Sequence, residues 1–118
     1  MQKNPWGQLM SINLYDCNPL LLKSPKKLRE FCLQLCHNIN MIPHGQAIIK
    51  KFGKGKLNGY SLMQFIETST ITIHLDEFNL RAFIDIFSCK TFDKIIAKKF
   101  SKSFFQAKRV KYKNFYRS

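Results

Sequence analysis

The sequence lacks the long apolar segment that a membrane-spanning helix requires. None of its hydrophobic runs approaches the roughly 18–20 residues needed to cross a bilayer. The opening stretch, MQKNPWGQ, also lacks the charged-then-apolar layout of a secretory signal. We therefore expect a cytoplasmic protein with no membrane partner.

Motifs for metal and nucleotide phosphate are missing as well. The four cysteines include no C-x-x-C pair, which argues against zinc. Without signs of export, reduced thiols are expected rather than disulfides. The basic turn KKFGKGKLNG matches neither G-x-G-x-x-G nor the P-loop spacing. We expect no metal site and no phosphate cradle.

Acidic residues are scarce: 7 Asp and Glu face 20 Lys and Arg, for a formal net charge of +13. Half of the basic residues lie in residues 90–118, where Asp93 is the single acid. Such an excess favours anionic partners, nucleic acid among them. A general enrichment in Lys, Asn, Ile and Phe explains the charge equally well without any partner.

The chain has enough apolar residues to fold. Its 118 residues are 45% hydrophobic and 14% aromatic, which excludes disorder and allows one domain spanning residues 1–118. No linker, repeat or low-complexity stretch divides it.

Hydrophobic periodicity predicts helices and strands in alternation. Strands are expected at 8–15, about 46–52, 59–67, 70–74, 80–87 and 107–116, and helices at 25–39 and 91–105. The order, roughly β-α-β-β-β-α-β, predicts an α+β two-layer sandwich, an antiparallel sheet with two helices on one face.

Three of these elements carry further expectations. Cys32 and Cys36 fall on the apolar stripe of the first helix and are expected to be core residues. Residues 80–87 are apolar on nearly both sides, so we expect a central strand covered on both faces. The last strand should present a basic, solvated face.

A pattern of polar residues runs through the middle of the chain. It combines GQLMSINLYDC at residues 7–17, SLMQFIETSTITIH at residues 61–74 and DIFSC at residues 85–89. Together these stretches resemble the small bacterial and archaeal S-adenosylmethionine decarboxylase proenzymes, over almost the whole chain. Four polar positions keep that family's separations without a gap: Ser61, Ser69, His74 and Cys89.

The resemblance implies self-processing. The Ser69 hydroxyl would attack the carbonyl carbon of Thr68, and the resulting ester would break to give chains 1–68 and 69–118. Residue 69 would become a pyruvoyl group, the family's covalent cofactor, which forms a Schiff base with the substrate amine and accepts electrons on decarboxylation. Ser61 and His74 match residues that assist processing, and Cys89 matches the residue that protonates the substrate carbon.

Two departures from the family pattern bear on this reading. Thr68 stands where the family has Glu and Thr70 where it has His, which leaves the rate of processing open.

The family's Thr-Trp-Pro-Glu is replaced by Leu-Asp-Glu-Phe at residues 75–78. The aromatic expected before Ser61 is also absent, with Gly55 in its place; Phe52 could replace it only with a shift.

These changes favour a cationic amino acid as substrate. Asp76 and Glu77 would bind a cationic side chain, and loss of the Trp weakens an adenine slot. L-Ornithine or L-arginine is therefore slightly preferred over S-adenosylmethionine, the family default, in a role in polyamine synthesis. The resemblance also implies a homodimer of processed protomers whose active sites draw on both.

Two other functions remain open at this stage. A nucleic-acid-binding module would use the basic last strand, with Phe115 and Tyr116 stacking on bases, but it leaves the Ser61, Ser69, His74 and Cys89 spacing unexplained. An unprocessed relative acting as a lyase on S-adenosylmethionine is the second.

Overall fold

The structure, a computed structural model, describes residues 5–118. Residues 1–4, the first half of the stretch used to argue against a secretory signal, lie outside the described residues. The strands are β1 (Gly7–Tyr15), β2 (Ile48–Phe52), β3 (Gly59–Ile66), β4 (Ser69–Asp76), β5 (Arg81–Ser88) and β6 (Arg109–Arg117). The helices are α1 (Pro19–Leu22), α2 (Pro25–Asn38) and α3 (Lys94–Phe104), with one 3-10 turn at Gly55–Leu57.

The strands form one antiparallel sheet in the order β2-β3-β4-β5-β1-β6. Helices α2 and α3 pack together on one face of it, so the predicted α+β two-layer sandwich is confirmed. The other face carries no helix among the described residues. We call it the open face.

Local sequence explains where the two long helices begin. Ser24 caps α2 by accepting a hydrogen bond from the Lys27 backbone N–H at 3.0 Å, with a proline in the first turn. The Asp93 carboxylate caps α3 in the same way, which is why that helix begins at residue 94 and not at 91 as predicted.

The core lies between the sheet and the helices. Phe31 of α2 is fully buried and stacks on Phe100 of α3 with ring centroids 5.6 Å apart. Cys32 and Cys36 are fully buried on the same side of α2, as the apolar stripe predicted. These contacts fix the helices against one face and leave the opposite face to the strands alone.

The predicted element order and one strand boundary need correction. The predicted segments include four strands between the two long helices, but the order β-α-β-β-β-α-β counted three. The structure has four, because residues 59–74 form two strands joined by a tight turn. The Asn18 side chain caps the short helix α1, which hydrophobic periodicity did not predict. Strand β4 begins at Ser69, so the hydroxyl residues 69 and 70 belong to the strand.

The expectation that residues 80–87 are covered on both faces is wrong. Ala82, Ile84 and Ile86 are fully buried under the helices. Asp85 on the opposite side is exposed, and Phe83 is only half-buried there. The strand is central in the sheet, but the apolar residues on its second side lie on the open face.

Among the helices of residues 5–118, none combines the length and apolar character needed to span a bilayer.

Candidate active site

The turn between β3 and β4 holds its second residue in an unfavourable conformation. Ile66 pairs with Ser69, so Glu67 and Thr68 alone make the turn. Thr68 has a φ of +61°, in the left-handed region that favours glycine. A β-branched residue there is strained, at a cost of about 1–3 kcal/mol. The strain falls on the residue whose carbonyl precedes Ser69.

Ser69 occupies the first position of β4 with its side chain turned toward the helices. It is 5% exposed, and its Oγ accepts a hydrogen bond from the Cys89 backbone N–H at 3.1 Å. The hydroxyl is therefore held beside the Thr68–Ser69 peptide bond and shielded from bulk water.

Cys89 reaches this turn because β4 and β5 are antiparallel neighbours. Thr70 pairs with Phe87, which brings the end of β5 against the start of β4. The Cys89 thiol contacts the Thr68 hydroxyl, which also donates to the Glu67 carbonyl. Residues 68, 69 and 89 thus meet at one end of the sheet, although 20 positions separate the last two in sequence.

Gly7 allows this close approach. A Cβ atom at position 7 would lie 2.5 Å from the Ser88 carbonyl oxygen and 3.4 Å from the Cys89 Cα. Any larger residue would push the end of β5 away from β1. This explains why a glycine opens the first stretch of the motif.

Ser61 and His74 form a second, separate pair. They face each other across β3 and β4, with Ser61 Oγ and His74 Nδ1 2.9 Å apart, on the open face. His74 lies five residues beyond Ser69 on the same strand, about 16 Å away at 3.3 Å per residue. Because side chains alternate along a strand, Ser69 and His74 also point to opposite faces. Within one chain the structure does not bring the predicted processing residues to the predicted cleavage site.

The Ser61–His74 pair lines a shallow cavity of about 380 Å³ on the open face. Phe52, Ile48 and Met63 supply apolar walls and Lys50 a cation. From the sequence alone, Phe52 matched the family's aromatic position only with a shift. In the structure, Phe52 and Ser61 line the same cavity.

Asp76 and Glu77 are both paired within the chain. Arg81 donates to Asp76 Oδ2 at 2.6 and 2.8 Å, and Lys51 lies 3.3 Å from Glu77 Oε2. Partial burial would raise the pKa of Asp76, but the Asn79 backbone N–H and the Arg81 guanidinium outweigh it, so the pKa is lowered. A substrate cation would compete with the Arg81 guanidinium for Asp76 and with the Lys51 ammonium for Glu77, whose Oε2 makes no hydrogen bond.

An aromatic cluster that sequence reasoning missed lies at the same end of the sheet as Ser69 and Cys89. Trp6 stacks on Phe87 with centroids 6.0 Å apart. The Arg117 guanidinium lies 4.8 Å from the Phe87 ring and 5.5 Å from the Phe115 ring. Alternation in β5 and β6 places Phe87 and Phe115 on the open face, but only strand order shows that they meet.

The other three cysteines lie in the core. Cys17, Cys32 and Cys36 are buried and free, whereas Cys89 is half-buried. Burial, with the neighbouring Asp16 charge, raises the pKa of Cys17 to about 11. Across residues 5–118 no group of three His, Cys, Asp or Glu side chains is placed to bind a metal.

The chain is similar to known proteins in sequence and in fold. The sequence profile described as S-adenosylmethionine decarboxylase matches residues 8–118. Among solved structures, the chain is similar to the crystal structure of the adenosylmethionine decarboxylase from Aquifex aeolicus VF5, with a TM-score of 0.81 and 16% sequence identity. That match covers 98% of this chain and 93% of the other. At this identity it establishes the fold. A search of curated protein sequences found no match.

Glycine should be tolerated far better at position 68 than at position 70. In a Ser69→Ala background, which removes the candidate nucleophile, Thr68→Gly relieves the left-handed strain, whereas Thr70→Gly loosens an extended strand. We expect the free energy of unfolding of the first variant to exceed that of the second by at least about 1 kcal/mol. Urea titration measures both, and equal stabilities would show that Thr68 is unstrained.

Cys89 should be the one thiol that reacts in the native state. The other three are buried, and burial raises the pKa of the Cys17 thiol to about 11, so little thiolate is present there at neutral pH. Brief iodoacetamide treatment followed by peptide mass spectrometry is expected to label Cys89 alone, with the other three labelled after unfolding. Equal native labelling of Cys17 would contradict the packing described.

Proposed function

The chain belongs to the S-adenosylmethionine decarboxylase family, a family of carboxy-lyases, and from that premise we propose that it is a self-processing proenzyme. Its Thr68–Ser69 bond breaks to give chains 1–68 and 69–118, and residue 69 becomes a pyruvoyl group. One observation carries the proposal: a strained Thr68, a buried Ser69 hydroxyl and the Cys89 thiol meet at one end of the sheet.

The processing chemistry needs only protein groups and water. Ser69 Oγ bonds to the Thr68 carbonyl carbon as the C–N bond breaks, which leaves an ester and a free amine on residue 69. A base, for which the His74 imidazole is the candidate, then removes the α-proton of residue 69, which expels the Thr68 carboxylate and leaves dehydroalanine. Hydrolysis releases ammonia and leaves the ketone. Strain at Thr68 favours the first step, because the amide is lost in it.

The site fits a pyruvoyl group. Its precursor is the first residue of a buried strand, and its hydroxyl is already held by a backbone N–H. When formed, the ketone supplies the electron sink for decarboxylation. Cys89 then acts as the acid that delivers a proton to the substrate carbon, because its thiol lies at the same turn and is partly accessible.

The separation of Ser61 and His74 from Ser69 supports a homodimer. Because this pair cannot reach the turn of its own chain, we infer that a second copy supplies it there. The open face is suited to such a contact because its exposed side chains include many apolar ones. They are Ile48, Phe52, Met63, Phe65 and Phe115.

For the substrate we propose S-adenosylmethionine in place of the amino acids that the sequence alone slightly favoured. The preference for ornithine or arginine depended on free carboxylates at positions 76 and 77, and both are ion-paired. The cluster of Trp6, Phe87 and Phe115 supplies flat apolar surfaces for a purine near Cys89. The product would enter polyamine synthesis. A working Cys89 thiol also suits a reducing compartment, the cytoplasm.

The nucleic-acid alternative has one structural feature in its favour. Arg109, Lys111 and Lys113 of β6 are exposed on the open face. A nucleic-acid-binding function gives no role to the contacts among Thr68, Ser69 and Cys89, so we rank this alternative second.

Processing in trans can be tested by complementation. A His74→Ala chain keeps Ser69 but lacks the imidazole, and a Ser69→Ala chain keeps the Ser61–His74 pair. We expect the differently tagged His74→Ala chain to stay whole when expressed alone and to be cut when co-expressed with Ser69→Ala. Mass spectrometry of the tagged chain measures this. Co-expression with a Ser69→Ala/His74→Ala double variant is the control, and equal cleavage there would contradict action of His74 from the second copy.

Substrate choice is tested by release of carbon dioxide from labelled carboxyl groups. We expect turnover of S-adenosylmethionine, with L-ornithine and L-arginine at least about a hundredfold poorer in kcat/KM, because ion pairing leaves no free carboxylate for their side chains. Trp6→Ala should raise KM several-fold. Activity on ornithine or arginine alone would reverse the assignment, and uncut protein that still consumes S-adenosylmethionine would indicate a lyase.

A further inference from the structure

The Cys89 thiol is carried by a segment without regular secondary structure. Residues 89–93 connect β5 to α3 and form neither helix nor strand. A proton donor must keep its position to within a fraction of an ångström to be effective. Something outside the segment must therefore hold it.

Lys90 is held by two hydrogen bonds, from its N–H to Ser88 Oγ at 3.1 Å and from its Nζ to the Asn40 carbonyl at 3.0 Å. Gln8 holds the segment further on, at Phe92.

Gln8 is fully buried in β1, directly opposite Ser88 of β5. Its Oε1 accepts a hydrogen bond from the Phe92 backbone N–H at 2.9 Å, and its Nε2 donates to Asn114 Oδ1 at 2.7 Å. The amide thus ties the Cys89 segment to strand β6 through β1.

The hydrogen bond between the Cys89 N–H and Ser69 does not survive processing. In the uncut chain the Cys89 N–H donates to Ser69 Oγ at 3.1 Å. When Ser69 reacts, its Oγ becomes an oxygen of the new Thr68 carboxylate, so the Cys89 N–H is no longer bonded to residue 69. The Gln8 bond to Phe92 involves no reacting atom and remains.

We propose that Gln8 is a positioning residue for the proton-donating thiol, which it holds through the Phe92 N–H, above all after Ser69 has been consumed. This inference rests on the proposed function. Gln8 touches neither the substrate nor the bond that breaks. It acts by keeping the 89–93 segment in one conformation, and its loss should impair turnover without impairing cleavage.

The test variant is Gln8→Met, which keeps the length of the side chain but removes both hydrogen bonds. We expect complete cleavage, alkylation of Cys89 by iodoacetamide at least about tenfold faster, and kcat about tenfold lower with KM within about twofold. Leu14→Ala is the control: it creates a cavity at a fully buried position at the far end of the same strand. It should destabilise the protein and leave both rates within about twofold.

Unchanged Cys89 alkylation and kcat in Gln8→Met, or the same changes in Leu14→Ala, would overturn the proposal. The alkylation rate needs no turnover, so it decides the role of Gln8 even if the wild-type chain proves uncut and the proposed function fails.

If Gln8→Met does not fold, amide hydrogen exchange of the wild type tests the proposal instead. The Phe92 amide, although outside helix and strand, should be protected about a thousandfold, like strand amides. Exchange at the rate of an open loop would refute the inference.

Discussion

The pairing of β3, β4 and β5 is the constraint on which the candidate site depends. The match of Ile66 with Ser69 leaves only two residues to reverse the chain, and this forces Thr68 into the left-handed region. The match of Thr70 with Phe87 then brings Cys89 to the same turn. A slip of one residue in either pairing would turn Ser69 away from the helices and separate it from the thiol. The chemistry is thus positioned by backbone hydrogen bonds of the sheet.

The same alternation divides the functional residues between two faces. Ser69 belongs to the face under the helices, whereas Ser61 and His74 belong to the open face. Because Ser61 and His74 lie on the open face, the apolar character of that face also bears on the candidate processing site. In the proposed function a second copy of the chain completes the processing site, and assembly and maturation are then parts of one process.

Much of the fold and part of the candidate site could be predicted from the sequence, and the errors have physical causes. Periodicity and capping signals located the long helices and the strands. The family pattern of four polar residues predicted a candidate site, of which the structure brings Ser69 and Cys89 together but not Ser61 and His74. A separation of five along one strand already implies that Ser69 and His74 face opposite ways. The ion pairs of Asp76 and Glu77 depend on a tight turn and on β2, so charge alone could not show that they are occupied. The role of Gln8 likewise depends on strand order, which brings residues 8, 92 and 114 together.

The most direct test of the central claim is the intact mass of the purified wild-type protein beside Ser69→Ala, before and after borohydride reduction. Self-cleavage predicts two wild-type chains, one ending at residue 68 and one beginning at residue 69. Reduction of the ketone should add mass to the second chain. Ser69→Ala should remain a single chain that borohydride leaves unchanged. A whole wild-type chain without a reducible carbonyl would contradict the account, because decarboxylation would then have no electron acceptor.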